Sequence, residues 1–308
     1  MPWKTILSLL VLISGNVVAA PVKVVTSTTD LAWAVKEVGL DLVEVTPLLK
    51  GTENPHYVDA VPEFIRLASE AQVVVIVGLD LEVGWMPKVL GRSGNAAVQP
   101  GGQGYVEAGQ GIQVLDKKTG TVDRTMGDVH PAGNPHFWLS PRALAQSMEP
   151  VVKALSAVDP ANSSKYQENL KKFAAKMQAL HEKNIKRLKP LLAGTSGPVL
   201  IEYHSEFAYF LESYGLKSLG SIEEKPGVTP SAGRLAEVGT QAKNSKIKFA
   251  LSSDTAPKKT LERFSEISGL RVMAVPLSLC PKSGLTDYSQ LQEKIVEAVV
   301  KGLTIDKT

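Results

Sequence analysis

The uninterrupted apolar run Val73-Val74-Val75-Ile76-Val77, which ends at Gly78, is the feature that most restricts how this chain can fold. A strand that is apolar at every position is buried on both faces, as happens in parallel sheets covered by helices on each side. Strand-like and helix-like segments alternate around this run, beginning with a strand at Val22 to Thr26 and a helix at Leu31 to Val38. The sequence therefore predicts an α/β fold.

A long amphipathic helix is predicted between Pro160 and Pro190. Its buried face recurs every three or four positions, at Tyr166, Leu170, Phe173, Met177, Leu180, Asn184 and Leu188. Roughly 30 residues at 1.5 Å each give a helix about 45 Å long, enough to cross the whole molecule. His181 lies on this helix among several lysines and is predicted to be a residue of its solvent-exposed face. It is not expected to be a metal ligand, because nearby cations disfavour a divalent metal.

A second α/β unit is predicted after this helix, with its first strand at Pro198 to Ile201 and a final helix after Asp287. Residues 95–133 are rich in glycine and polar residues and are predicted to form loops and a hairpin. Within this segment Asp123, Asp128 and His130 could hold a metal transiently. A solvated loop is the preferred interpretation, because one histidine is a poor chelator without partners.

The N-terminus has the pattern of a secretory signal. Met1 to Ala20 contains a charged start at Lys4, an apolar run too short to span a bilayer, and small residues at its end. Cys280 is the only cysteine, so a lipid-modified cysteine after the signal and an intramolecular disulfide are both excluded, and Cys280 is predicted to be a small buried residue. We therefore expect a periplasmic protein that is not lipid-anchored.

Charge argues against a nucleic-acid partner. The chain carries 34 basic and 31 acidic residues, a formal net charge of +3, and no basic stripe with interleaved aromatic residues.

Two copies of one short motif stand out in a chain with only five histidines: Asn54-Pro55-His56 and Asn134-Pro135-His136. Asn-Pro favours a turn, because the residue before a proline is driven out of the helical region, so each histidine is predicted to lie on a loop. Ser140 and Pro141 then predict a helix start, as N-cap and first helical residue. His204 follows the strand Pro198 to Ile201, at the carboxyl end where open α/β sheets bind ligands.

These segments resemble the zinc- and manganese-binding periplasmic solute-binding proteins of ABC transporters. The second motif continues as His136-Phe137-Trp138-Leu139-Ser140, with serine where the family usually has aspartate, and a third family pattern matches His204, Phe207, Tyr209 and Phe210. The resemblance implies two Rossmann-like α/β lobes joined by one long backbone helix, with a metal site in the cleft between them. The implied division is a signal peptide at 1–20, an N-terminal lobe at 21–157, the connecting helix at 158–190 and a C-terminal lobe at 191–308.

The resemblance also implies the metal ligands His56, His136 and His204, with a carboxylate near the C-terminus as the fourth. Asp287 is the preferred candidate for that carboxylate, Asp254 is the alternative, and Asp287 could instead be only a helix N-cap. Four such ligands suit the tetrahedral coordination of zinc. In this resemblance, manganese-selective relatives have two histidine and two carboxylate ligands, with glutamate at the position of His204. Three imidazole ligands favour zinc over manganese.

The expected function is capture of zinc in the periplasm and its delivery to an ABC permease in the inner membrane, by a monomer that is not an enzyme. The same role for manganese or another divalent metal is the nearest alternative. A secreted zinc hydrolase with Glu202 or Glu206 as general base is another, although the chain has no His-Glu-x-x-His motif and four protein ligands would leave no position for a catalytic water. An adhesin-like surface protein with the same fold is a third.

Overall fold

The structure is a computed structural model that describes residues 20–118, 129–225 and 227–304. The predicted signal peptide, apart from Ala20, lies outside the described residues, and so do Asp123 and Asp128. No helix within the described ranges has the length and apolar character needed to cross a membrane.

A four-stranded parallel sheet forms the core of the first lobe. Its strands are β1 (Val22–Thr26), β2 (Val43–Pro47), β3 (Val73–Ile76) and β4 (Tyr105–Glu107). The helices of this lobe are α1 (Thr29–Gly39), α2 (Pro62–Glu70), α3 (Met86–Ser93), α4 (Pro141–Gln146) and α5 (Met148–Val158). The strand order is β2-β1-β3-β4, and all neighbours are parallel.

The apolar run that predicted this sheet is β3, and every residue of this strand is buried. Val73 and Val75 pack into a core that includes residues of α1 and α5, whereas Val74 and Ile76 pack on the opposite face against residues of α2 and α3. The prediction of a parallel sheet covered by helices on both faces is therefore confirmed.

Strand β4 corrects the prediction of a hairpin between residues 95 and 133. Tyr105 to Glu107 pair in parallel with β3, with Val74 opposite Tyr105. This edge strand has only three residues, and Tyr105 and Glu107 are half-buried. So short a strand shows no apolar pattern that distinguishes it from a loop.

The second lobe repeats the same arrangement. Its strands are β5 (Leu200–Glu202), β6 (Ser218–Ser221), β7 (Phe249–Ser253) and β8 (Arg271–Val275). Its helices are α7 (Ala208–Tyr214), α8 (Ala232–Asn244), α9 (Lys258–Ser268) and α10 (Tyr288–Thr304). The parallel strand order is β6-β5-β7-β8, which matches the order of the first sheet.

One long helix, α6 (Ser163–Leu188), contacts both lobes. Asn169 donates a hydrogen bond from Nδ2 to the carbonyl of Val38 in the first lobe, at 3.1 Å. Asn184 donates from Nδ2 to the hydroxyl of Tyr214 in the second lobe, at 2.9 Å. The predicted long backbone helix is confirmed, whereas the exact domain limits stay a prediction.

His181 corrects the expectation of a solvated residue on α6. It is buried, and its ring stacks on Tyr214 with the ring centroids 5.3 Å apart. Lysines neighbour His181 in sequence, but His181 lies on the face that packs against the second lobe, four positions after the buried Met177.

The segment that follows β8 reaches back to the first lobe. The hydroxyl of Thr29 donates to the carbonyl of Leu279 at 2.7 Å, and the N–H of Leu279 donates to Oδ1 of Asp30 at 3.1 Å. Trp138 donates from its indole nitrogen to the carbonyl of Leu277 at 2.8 Å. The two lobes are therefore joined by direct hydrogen bonds as well as by α6.

The buried carboxyl of Asp30 should make the stability of the protein depend on pH. Its side chain is fully buried, and this burial raises the pKa of the carboxyl to about 7. The folded protein then holds this proton more tightly than the unfolded chain does, so the contribution of Asp30 to stability decreases as the pH rises towards 7. Between pH 5 and pH 8 the free energy of unfolding of the wild-type apoprotein should fall, relative to that of Asp30→Asn, by on the order of 2 kcal/mol.

Urea denaturation of both proteins at pH 5, 6.5 and 8 measures this difference. Asp41→Asn, on the surface near the end of α1, is the control and should follow the wild type. Identical pH profiles for Asp30→Asn and the wild type would contradict the prediction.

Candidate metal centre

Three histidines from distant parts of the sequence meet in the cleft between the lobes. His56, His136 and His204 each offer a ring nitrogen, and these atoms all lie within 4.8 Å of one another. Nε2 of His56 and Nε2 of His136 are 3.3 Å apart. A tetrahedral ion with Zn–N bonds of 2.0–2.1 Å requires nitrogens about 3.3 Å apart, so this pair already has the spacing of two ligands on one ion.

The repeated Asn-Pro-His motif forms the same local structure twice. The N–H of His56 donates to Oδ1 of Asn54 at 3.0 Å, and the N–H of His136 donates to Oδ1 of Asn134, also at 3.0 Å. Such asparagine turns let a side chain replace the backbone as acceptor, and they place each histidine on a short loop. The first loop is also held by Trp85, whose indole N–H donates to the carbonyl of Pro55 at 2.9 Å.

Asn134 also orients the imidazole of His136. Its Oδ1 lies 2.9 Å from Nδ1 of His136 and can only accept, so Nδ1 carries the proton of the neutral ring. The amide group of Asn134 is itself fixed, because Nδ2 donates to the carbonyl of Ser205 at 2.8 Å. Nε2 of His136 therefore keeps its lone pair for a metal.

Glu223 orients His204 in the same way. Its Oε2 lies 2.8 Å from Nδ1 of His204 and also accepts a hydrogen bond from the N–H of Gly227 at 2.9 Å. A carboxylate that receives the second ring N–H is the usual outer partner of a metal-binding histidine. Sequence reasoning missed Glu223, which lies 19 residues after His204 on a different loop.

The electrostatics of the site keep His136 neutral. Burial is the main cause that lowers the pKa of His136 well below its usual value, and His56, His204 and His130 lower it further. The neutral imidazole is the form that binds a metal ion, so the site needs no deprotonation at this position near neutral pH.

His130 also lies beside the site, which corrects the preferred interpretation of a simple solvated loop. Its ring centroid is 4.9 Å from that of His56, and the residue is half-buried. The following residues hold it there, since the N–H of Ala132 donates to Oδ2 of Asp80 at 3.3 Å and the N–H of Gly133 donates to the carbonyl of His130 at 3.1 Å. The bond between Gly133 and His130 closes a local turn, whereas the contact of Ala132 with Asp80 is tertiary and leaves no local sequence signature.

The structure does not bring Asp287 to the three histidines. Oδ1 of Asp287 accepts a hydrogen bond from the N–H of Ser289 at 2.8 Å, at the start of α10. This is the N-cap geometry considered as its alternative role, and the assignment of Asp287 as the fourth ligand stays a prediction.

Two other carboxylates, those of Asp254 and Glu206, line the cleft with His56 and His136. Burial raises the pKa of Asp254 and raises that of Glu206 to about 7. Glu202 has a different role: its Oε2 accepts a hydrogen bond from the N–H of Phe207 at 3.1 Å inside the second lobe.

Known proteins with similar sequences include binders of more than one metal. The chain is 25% identical over 289 residues to the manganese ABC transporter substrate-binding lipoprotein PsaA of Streptococcus mitis, which covers 91% of this chain and 89% of that protein. It is 25% identical over 251 residues to the high-affinity zinc uptake system protein ZnuA of Bacillus subtilis, covering 80% and 76% respectively.

Solved structures show the same fold. A crystal structure of ZnuA superposes with a TM-score of 0.75 and 23% identity, covering 92% of this chain and 100% of that one. FpvC from Pseudomonas aeruginosa in complex with Ni²⁺ gives a TM-score of 0.74 and 22% identity, covering 92% and 97%. The arrangement of two parallel-sheet lobes and one long helix is therefore that of known metal-binding proteins.

These relatives correct one prediction. Because Cys280 is the only cysteine, we expected a periplasmic protein that is not lipid-anchored. The manganese-binding relative from S. mitis and the zinc-binding relative AdcA from Streptococcus pneumoniae are both named lipoproteins, and they match 91% and 90% of this chain. The expectation of no lipid anchor is therefore wrong, while a location outside the cytoplasm is supported.

The family model described as zinc-uptake complex component A, periplasmic, matches residues 24–302, which is most of the chain. The protein therefore belongs to this family and is a metal-binding, substrate-binding component of an ABC transporter.

Proposed function

We propose that this protein captures zinc outside the cytoplasm and delivers it to the permease of an ABC transporter. The observation that carries the proposal is the meeting of His56, His136 and His204 within 4.8 Å, with the first two on loops of one lobe and the third on the other. An ion bound there contacts both lobes. Because the ion bridges the lobes, the surface that both lobes form differs between the loaded and the metal-free protein. A permease can recognise that difference.

The choice of zinc is based on the ligand atoms. Imidazole nitrogen suits zinc well, whereas manganese prefers sites rich in carboxylate oxygen and water. The relatives alone do not distinguish the two metals, because PsaA is named for manganese and ZnuA for zinc at the same 25% identity. Three imidazoles at one point are what favour zinc here.

Capture is favoured over catalysis by the surroundings of the histidines. The outer ring nitrogens of His136 and His204 are held by Asn134 and Glu223, so both rings present fixed nitrogens to one ion. The relatives are named as transport proteins, and the proposed role is therefore binding and release without turnover. Of the two glutamates considered as the general base of a zinc hydrolase, Glu206 lines the cleft, whereas Glu202 accepts a hydrogen bond from the N–H of Phe207 inside the second lobe.

Equilibrium dialysis against equal concentrations of zinc and manganese tests the proposal. Wild-type protein should retain one zinc per chain in preference to manganese, and His136→Ala should bind zinc more than about 100-fold more weakly, beyond the effect of losing an outer hydrogen bond. Apoprotein stability should change little, because removing one imidazole relieves the crowding of several rings.

His181→Asn is the matched control, since it changes a buried histidine on α6 that contacts Tyr214 instead of the site. It should leave zinc affinity at the wild-type value. Wild-type affinity in His136→Ala, preference for manganese, or hydrolysis of esters or peptides by the zinc-loaded protein would each contradict the proposal.

The hydrogen bond from His204 to Glu223 should strengthen zinc binding. Glu223→Gln should weaken zinc binding about tenfold, because the amide carries no charge and so stabilises the metal-bound imidazole of His204 less well. Glu224→Gln, at the exposed neighbouring position, is the control and should bind as the wild type does. Competition with a chromogenic chelator at pH 7 measures both, and equal affinities for the two variants would refute the role of Glu223.

A further inference from the structure

Glu206 occupies an unusual position beside the three histidines. Its N–H donates to the carbonyl of His204 at 2.7 Å, so a tight turn places Glu206 two residues after a proposed ligand. The side chain lines the same cleft as His56 and His136. Capture of the ion by the three histidines does not itself involve this carboxylate.

One carboxylate oxygen of Glu206 is buried and makes no hydrogen bond. Its Oε2 exposes less than 1 Å² and accepts no hydrogen bond from any residue that the structure describes. A buried oxygen of this kind costs free energy, and such exceptions in a native structure call for an explanation.

Other buried glutamates of the chain are compensated by backbone donors. The two oxygens of Glu82 accept hydrogen bonds from the N–H groups of Val77 and Gly78, at 2.8 and 3.0 Å. Glu202 accepts one from the N–H of Phe207. Of these three glutamates, Glu206 is therefore the one whose charge would be balanced by a cation in the cleft.

We infer that Glu206 supplies the fourth ligand of the ion held by His56, His136 and His204. The inference rests on the proposed function, since it concerns the same ion. Three imidazole nitrogens and one carboxylate oxygen complete a tetrahedral zinc site. Each lobe then contributes two ligands: His56 and His136 from the first, His204 and Glu206 from the second.

The side chain of Glu206 must move to reach the ion. The Glu206 oxygens lie outside the group of ring nitrogens within 4.8 Å of one another, so the side chain must turn about its own bonds to reach the ion. The residue already borders the cleft that contains His56 and His136. Binding of the ion gives the buried Oε2, which accepts no hydrogen bond, a metal ion as its partner, and this favours the movement.

The other two carboxylates have less reason to bind. Asp254 lies partly in water, which already solvates part of its charge. Asp287 accepts hydrogen bonds at the start of α10 and would have to give up its capping interaction. Oε2 of Glu206 has no hydrogen bond to give up.

Zinc competition and cobalt spectroscopy on the full chain test the inference. Glu206→Gln should weaken zinc binding at least about tenfold and should change the visible absorption of the Co²⁺-substituted protein, because an anionic oxygen ligand is lost. Asp254→Asn and Asp287→Asn test the competing carboxylates, and both should keep wild-type affinity and spectrum if Glu206 is the ligand. Glu224→Gln, at an exposed position outside the cleft, is the control. The thermal midpoint of Glu206→Gln in excess chelator should equal or exceed that of the wild type, since the substitution removes a buried charge.

The outcomes separate this inference from the proposed function. If the wild type binds one zinc and His136→Ala does not, but Glu206→Gln retains both wild-type affinity and the wild-type cobalt spectrum, the ligand role of Glu206 is refuted and the function stands. Loss of affinity in Asp287→Asn or His130→Ala in place of Glu206→Gln would also overturn it. A wild type that binds no zinc would overturn the function and the inference together.

Discussion

The hydrogen bonds of Asn134 are the interaction on which the metal centre depends. Its side-chain oxygen receives the backbone and ring N–H groups of His136, while its amide nitrogen donates to the carbonyl of Ser205 in the other lobe. Its own carbonyl accepts from the hydroxyl of Tyr209 at 2.9 Å. One residue of the Asn-Pro-His motif therefore fixes a ligand's tautomer, shapes its loop and ties that loop to the segment that carries His204.

The rest of the architecture keeps this connection in place. Helix α6 is bound to both lobes through Asn169 and Asn184, and the strand-end segment at Leu277 and Leu279 is hydrogen-bonded to Trp138 and Asp30. The histidines are therefore assembled by contacts that do not involve an ion. A site organised in advance loses less conformational entropy on binding, which favours high affinity for a small cargo.

The fold and most of the site could be predicted because their signals are local. The apolar run of β3 reports burial on both faces, the Asn-Pro-His motifs report turns, and Ser140-Pro141 reports a helix start that the structure confirms at α4. Their meeting point followed from resemblance to a family, since no local pattern relates His56 to His204.

What could not be predicted depends on tertiary contacts. Lysines near His181 suggested a solvated residue, but the helix face that carries it packs against Tyr214. Strand β4 is too short to show a pattern, and the position of His130 is fixed by the contact of Ala132 with Asp80. The uncompensated carboxylate of Glu206 becomes visible only when its hydrogen bonds can be compared with those of Glu82 and Glu202.

The most direct test is a crystal structure of the zinc-loaded protein with anomalous data collected at the zinc absorption edge. We expect one anomalous peak in the cleft, bonded at about 2.0–2.1 Å to a ring nitrogen of His56, of His136 and of His204. A zinc ion bound elsewhere, or three imidazoles that stay around an empty cleft in saturating zinc, would contradict this expectation.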